Sequence, residues 1–327
     1  MDLSLLKDVS ILYAFIFAGF IIGKLLKGRL NRTRTTLTKI LINLISPIQI
    51  FTVLTTNTTQ LDFWFVFQII IVMFAVFTVN STSILYYLKN KEWVTDPQRG
   101  THFLNVAFPN VMFFTIPLIL TLFSEELTVV SVFYASSALV LRGSIGIMIC
   151  EKYSREQKEE ITKKQMVINL LKSLFTFMPF LAILAAVIVL ATGQTQIGDA
   201  IFPLKGIVNE IASDTSLILV GMVLAGLKIQ EVKEYKKHIF LVAFWRIIIS
   251  FLVYISIAYF LEFSVYDKEV KRILLIIVCG PPAVFNVIFS IYFKLDEKFA
   301  AIAVATITLI VLILLPAFLA LGEILFV

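Results

Sequence analysis

Residues 101–123 read THFLNVAFPNVMFFTIPLILTLF, and residues 271–293 read KRILLIIVCGPPAVFNVIFSIYF. Each is apolar enough and long enough to cross a bilayer, which takes about 20 residues of helix. Each is also interrupted near its middle. The first carries Pro109 with Asn110 beside it, then Pro117; the second carries Gly280, Pro281 and Pro282, with Asn286 one turn later. Proline lacks the amide donor and clashes with the carbonyl four residues back, so both runs are expected to break. Broken backbone at membrane depth survives only where protein or a watery cavity satisfies the freed groups. The plainer alternative is two unrelated kinks, since proline is more frequent in membrane helices than in soluble ones. Matched interruptions in two halves of a chain are, however, the sequence mark of a midplane binding site in secondary transporters.

The rest of the chain fits that setting. Of 327 residues, 59% are hydrophobic and 15% charged, against about 45–50% and 25% in soluble domains. A soluble interior cannot absorb that much apolar surface, and disordered chains have the opposite composition. The expected class is an all-α polytopic membrane protein. Apolar runs at 9–26, 37–54, 63–88, 103–123, 128–150, 167–191, 212–227, 239–261, 273–293 and 300–327 make ten candidate spans. The first is expected to be retained rather than cleaved, because its flanking charges follow it and no small-x-small cleavage site appears.

The net charge of +6 is read as membrane topology rather than nucleic-acid binding. With ten spans, one set of alternate loops holds twenty Lys and Arg residues and the other only four. The positive-inside rule then puts both termini outside, in a multi-pass protein of the cell membrane. The longest cytoplasmic loop, EKYSREQKEEITKKQ at 151–165, is a solvated linker between two five-span halves, 1–150 and 166–327. An odd span count inverts the second half relative to the first, the plan of an inverted repeat with spans four and nine as the broken pair.

Chemically, such a pair suits an anion. Each break exposes the N-terminus of the following half-helix, whose unpaired amides and dipole favour negative charge. Asn110 and Asn286 add neutral amides that can orient a carboxylate. Pro109, Pro117, Pro281 and Pro282 hold the breaks open, and Thr115 lies between the two prolines of the first. Arg142, Lys172, Lys205 and Arg246 fall within or beside spans. Arg142, Lys172 and Arg246 each either meet an anionic substrate, or else snorkel to the cytoplasmic interface or make a structural pair; Lys205 belongs to a stretch that leads into span seven. Glu210 and Asp214 are four residues apart and hence on one helix face. They are the candidates for H⁺ or Na⁺ coupling, or else belong to a solvated entrance helix. Cys150 and Cys279 build no disulfide framework, and His102 and His238 have no metal-ligand spacing. No cofactor or metal is expected.

At these residues the sequence resembles the auxin efflux carrier family, which includes bacterial malate and malonate permeases and plant auxin exporters. The blocks that carry the likeness are FPNVMFFTIPLILTLFSEE at 108–126 and GPPAVFNVIFSIYFKLDEKFAAIAVATITLIVLILLPAFLAL at 280–321. Shorter ones are GMVLAGLKI at 221–229 and ISPIQIF at 45–51. The resemblance implies a fold related to bile-acid symporters and sodium–proton antiporters, in which a scaffold domain and a transport domain with crossed broken helices move against each other. It also implies a substrate contact at Asn110 and, by position in the matched block, a second at Asn286. Some positions depart from the family pattern. Met112 and Thr115 stand where the family has glycine, Met178 where Asn is common before Pro179, Ala135 where an acid is common, and Arg142 where an aromatic is usual.

Other chemistry is set aside. No His-Glu-x-x-His or Walker loop occurs, and Gly143-Ser144-Ile145-Gly146 lacks the spacing of a nucleophile elbow. The chain is therefore expected not to be an enzyme. The leading expectation is a carrier, secondary active or facilitative, of a small organic anion, a mono- or dicarboxylate, working by elevator-type alternating access. The alternative is a receptor or channel that keeps the fold without coupled turnover. Expected partners are the anion, the coupling ion if there is one, membrane lipids and, through the scaffold spans, a second copy in a homodimer; nucleic acid is not among them.

Overall fold

Long apolar runs poor in helix breakers fold as helix, and the computed structural model follows that rule. It describes residues 3–56, 63–155, 168, 171, 175–176, 178–193, 195–263 and 266–326, and no strand occurs among them. Residues 156–165 of the linker and Lys172 lie outside the described residues, as does the side chain of Lys205. In chain order the α-helices are Leu3–Leu26 (α1), Leu30–Ile40 (α2), Ser46–Thr56 (α3), Phe63–Leu88 (α4), Asp96–Ala107 (α5), Ile116–Leu122 (α6), Thr128–Leu141 (α7) and Ile147–Lys152 (α8). They continue with Met178–Ala191 (α9), Thr195–Ala225 (α10), Ile229–Glu234 (α11), Lys236–Ala243 (α12), Ser250–Ala258 (α13), Asp267–Val278 (α14), Phe285–Tyr292 (α15) and Glu297–Leu325 (α16).

Six helical stretches among the described residues are long and apolar enough to cross a membrane: Val9–Thr55, Phe63–Leu88, Thr128–Lys152, Gly206–Ala225, Lys236–Ala258 and Glu297–Leu325. Val111–Leu122 and Met178–Ala191 are shorter apolar helices. The chain is thus a helical membrane protein, and the gap between six stretches and ten apolar runs has local causes. Runs 9–26 and 37–54 fall on one stretch, because a left-handed residue, Lys27 at φ 45°, and the tight turn Lys27–Arg29 are all that part them. Runs 103–123 and 273–293 break in the middle, into α5 and α6 and into α14 and α15. Run 167–191 begins outside the described residues.

The closest helix packing is that of α1 along α10. A Cβ added to Gly19 would lie 2.1 Å from the Ile218 carbonyl oxygen, and one on Gly221 would lie 2.0 Å from that of Ile16. Lipid tails are as apolar as side chains, so membrane helices associate through close backbone approach at small residues. Around this pair, α3 packs against α9 and α10. The remaining long helices gather about the two breaks: α4 against α5 and α7, and α16 against α5, α14 and α15. The two groups meet where α6 touches α1 and α10, where α16 touches α10 and where α7 touches α3; the Tyr13 hydroxyl of α1 also donates to the Leu312 carbonyl of α16 at 2.6 Å.

Buried polar ties fix the second group. The Asn80 amide donates to the Ser250 hydroxyl at 2.7 Å, and the Trp245 indole to the Ser83 hydroxyl at 2.7 Å. Gln68 both donates to and accepts from the Glu262 backbone, each at 2.8 Å. In an apolar interior each such group would cost free energy if left unpaired.

Four π-helical turns occur among the described residues, at Leu41–Ile45, Val111–Thr115, Arg142–Gly146 and Phe244–Ile249. Such a turn inserts one residue, about 100° of rotation, so everything beyond it changes face. Pro117 lies in the first turn of α6, directly after the turn at Val111–Thr115. Its ring would strike the carbonyl four residues back in a regular helix, and the widened turn relieves that clash. Pro109 therefore marks the break itself, and Pro117 the widened turn beyond it.

Candidate functional site at the crossed helix breaks

Breaking a helix frees carbonyls at the end of one half and amides at the start of the next. Here the two breaks serve each other. The Asn110 backbone amide donates to the Pro281 carbonyl at 2.8 Å, the Ala283 backbone amide donates to the Phe108 carbonyl at 3.0 Å, and Pro109 faces Pro282 in an antiparallel bridge. The exchange is reciprocal, one bond in each direction, so the two interrupted runs cross in contact.

The crossing sorts charge. On one side the C-termini of α5 and α14 converge on Arg246, which is fully buried. Its guanidinium donates to the carbonyls of Val106 at 3.0 Å, Val278 at 2.9 Å and Gly280 at 3.0 and 3.2 Å. Of the readings the sequence leaves open for Arg246, neither an anion contact nor snorkelling describes it; a structural pairing does. It caps two helix ends.

On the other side the first residues beyond each break line a cavity. Its walls include Pro109 to Phe113, Ala283 and Phe285 from the breaks, Ala135, Ser136 and Arg142 from the α7 run, Pro179 and Ile183 from α9, and Ile42 and Ile50 from the second apolar run. The space measures about 700 Å³ with its open mouth included. Among the described residues that line it, all but Asn110, Ser136 and Arg142 have apolar side chains.

Arg142 turns inward. It is 9% exposed, and its guanidinium carbon lies 4.6 Å from the Phe108 ring centre, 5.5 Å from that of Phe285 and 5.9 Å from that of Phe289. One nitrogen donates to the Asn286 Oδ1 at 3.3 Å, while Nε has no hydrogen-bond partner. None of the acids among the described residues pairs with it. Asn110 is likewise buried, and its Nδ2 has no partner. An unpaired buried donor carries its full desolvation cost. Arg142 and Asn110 thus bring two unpaired donors to the lining of one cavity.

Asn286 is placed differently. Fully buried, it is not among the lining residues; its amide donates to the carbonyls of Leu104 at 2.9 Å and Phe108 at 3.3 Å and to the Asn105 Oδ1 at 3.3 Å. It closes the end of α5 and holds Arg142 in place. Asn286→Leu is therefore expected to destabilise the fold by about 1–3 kcal/mol. Asn110→Ala, whose side-chain amide has no protein partner, is expected to leave the melting temperature unchanged. Thermal unfolding of the two variants in detergent separates these roles.

Of the other residues singled out in the sequence, Pro281 supplies an acceptor carbonyl and Pro282 the bridge. Thr115 is buried behind the wall with its hydroxyl unpaired. Glu210 and Asp214 do share a face, but they line a separate cavity of about 1000 Å³ together with Thr121, Asn209 and Ser213. A third cavity, of about 1220 Å³, carries Arg34 and Lys39; Ile42 and Phe285 line both it and the site cavity. His102 and His238, 136 residues apart, meet through ring nitrogens 2.9 Å from each other. Only tertiary packing brings them together, beside Phe299 and Tyr235. Burial raises the Tyr235 phenol above its ordinary range, and neighbouring Asp296 adds to the rise.

No family model matches the chain, and no curated protein matches it.

Proposed function

We propose that the protein is a secondary transporter of a small organic anion, binding it at the crossing and moving it by alternating access. The observation that carries this reading is the pairing of a buried guanidinium, Arg142, with the unpaired amide of Asn110 on the wall of an otherwise apolar cavity. A charged side chain inside a membrane protein is expensive and marks a substrate or ion path by default. Among the described residues the guanidinium has no acid partner, so a ligand carboxylate is the partner that would repay its burial. One cation and apolar walls favour a single carboxylate on an apolar or aromatic body over a dicarboxylate.

The finer architecture belongs to the same proposal. Ten spans in two inverted halves, 1–150 and 166–327, account for the reciprocal bonds at the crossing, since a pseudo-twofold axis exchanges one break with the other. This supports grouping the chain with the auxin efflux carriers that its motifs resemble. The basic loops support both termini outside and a place in the cell membrane. The α1–α10 pair with α3 and α9 would serve as scaffold, and the helices about the breaks as the moving part. Ile42 and Phe285, shared by the site cavity and the basic cavity, would be the barrier the anion passes on the cytoplasmic side.

The test is counterflow in proteoliposomes loaded with an unlabelled carboxylate and given the labelled one outside. A carrier accumulates label above equilibrium; a channel does not, and a receptor binds without flux. Asn110→Ala is expected to lower the counterflow rate at least tenfold, the worth of one hydrogen bond to a charged group, about 1.5–3 kcal/mol. Wild-type rates in that variant would remove Asn110 from the site.

A further inference from the structure

Where two half-helices end at a crossing, their terminal carbonyls make a pole that ordinarily attracts a cation. In transporters built on broken helices, unwound carbonyls and half-helix C-termini are where Na⁺ or H⁺ is held. Here that pole is already filled. The last carbonyls of α5 and α14 and the Gly280 carbonyl converge on the Arg246 guanidinium, whose three nitrogens all donate, at 2.9–3.2 Å. The side chain is fully buried, and among the described residues no acid pairs with it. Each helix C-terminus carries about half a negative charge, so two of them balance one cation.

We propose that Arg246 is a built-in replacement for a coupling cation at the crossing, so that transport there needs neither Na⁺ nor a titrating proton. The inference rests on the transporter reading of the preceding subsection. A guanidinium stays charged throughout the pH range of proteins, and it cannot leave. A coupling ion must bind and dissociate in each cycle, and this one is tethered. Among the described residues no carboxylate stands in for it either: none of those lining the cavity on the other side of the crossing is Asp or Glu, and Glu210 and Asp214 line a different one. The consequence is a carrier that follows the gradient of its own anion, with Arg246 as a positioning residue that keeps the two breaks in contact.

Two measurements on the purified full chain test this, one of them independent of transport. The first is thermal unfolding in detergent with NaCl or with N-methylglucamine chloride, for wild type, Arg246→Ala and Arg246→Lys. Wild type is expected to melt at the same temperature in both salts. Arg246→Ala is expected to melt several degrees lower and to regain part of the loss with millimolar methylguanidinium, which can re-enter the vacated pole. Arg246→Lys is expected to fall between them, because a point charge cannot serve three carbonyls at once. A saturable rise in wild-type melting temperature with Na⁺ would overturn the proposal, as would an Arg246→Ala protein as stable as wild type and indifferent to every cation.

The second measurement is wild-type counterflow of labelled phenylacetate with Na⁺ replaced by N-methylglucamine at fixed pH, and it also decides if Arg246→Ala does not fold. Rates equal within about twofold are expected, since nothing linked to Na⁺ would change; a tenfold fall without Na⁺ would overturn the proposal. Absence of counterflow with any carboxylate in any salt would instead contradict the transporter reading, while the melting data would still judge the role of Arg246 at the pole.

Discussion

Arg142→Met is expected to abolish transport at low anion concentration and yet to leave the protein as stable as wild type, or more so. The two effects have opposite signs for one reason. In the free protein Arg142 holds a buried charge with one hydrogen bond, to Asn286, three aromatic rings near it and an unpaired Nε. Replacing such a charge by an apolar side chain of similar length removes its desolvation cost, which offsets the loss of the bond to Asn286. In the proposed complex the same guanidinium would face the carboxylate. Removing one member of a buried, hydrogen-bonded charge pair costs about 2–5 kcal/mol, roughly 30-fold to several thousand-fold in affinity. Counterflow at subsaturating anion and thermal unfolding, measured on the same preparation, check both signs. Discrimination between a carboxylate and its neutral amide should vanish as well. A variant that transports normally would leave Arg142 as a structural cation, and one that loses transport only because it unfolds would show the loss in both measurements.

Gly221→Leu is expected to eliminate the folded protein. The nearest atoms to a Cβ there are the Ile16 oxygen at 2.0 Å, the Phe20 nitrogen at 2.6 Å and the Gly19 carbonyl carbon at 2.9 Å, all backbone. Backbone inside a helix cannot step aside as a side-chain tip can, so α1 and α10 would have to separate. Overpacking alone costs about 1–3 kcal/mol, and separation also forfeits the close contact on which helix association in lipid depends. Gly206, on the same helix, would place a Cβ with nothing within 4 Å, and Gly206→Leu is expected to be tolerated. Monodisperse yield after detergent extraction compares them. Equal yields would mean that the α1–α10 contact does not hold the scaffold together.

Much of this was legible in the sequence, because it depends on composition and on local rules. Apolar runs and proline chemistry locate the two breaks to within a residue or two, and Asn110 falls on the cavity wall because it adjoins Pro109. What escaped sequence reading depends on rotation about a helix axis and on long-range pairing. Distance along the helix to the membrane edge made snorkelling a natural reading for Arg142 and Arg246. Direction about the axis, reset by a π turn at each, turns both inward. Periodicity at 3.6 residues per turn carries no signal for such a turn.

Asn286 illustrates a different limit. Its place one turn after Pro282 suggested a ligand contact, but its amide meets carbonyls of α5 some 180 residues earlier in the chain. The acids Glu210 and Asp214 were correctly placed on one face, yet nothing in their spacing could show that the face belongs to another cavity. The meeting of His102 and His238 was invisible for the same reason.

The central claim is that Arg142 and Asn110 together bind the carboxylate of a transported anion. Its most direct test is counterflow of labelled phenylacetate in proteoliposomes containing wild type, Arg142→Met or Asn110→Ala, each first verified as folded by its melting temperature. The account predicts accumulation above equilibrium in wild type, competed by other apolar monocarboxylates more than by malate, and its loss in both folded variants. Accumulation at the wild-type rate in either variant, with its melting temperature intact, would contradict it.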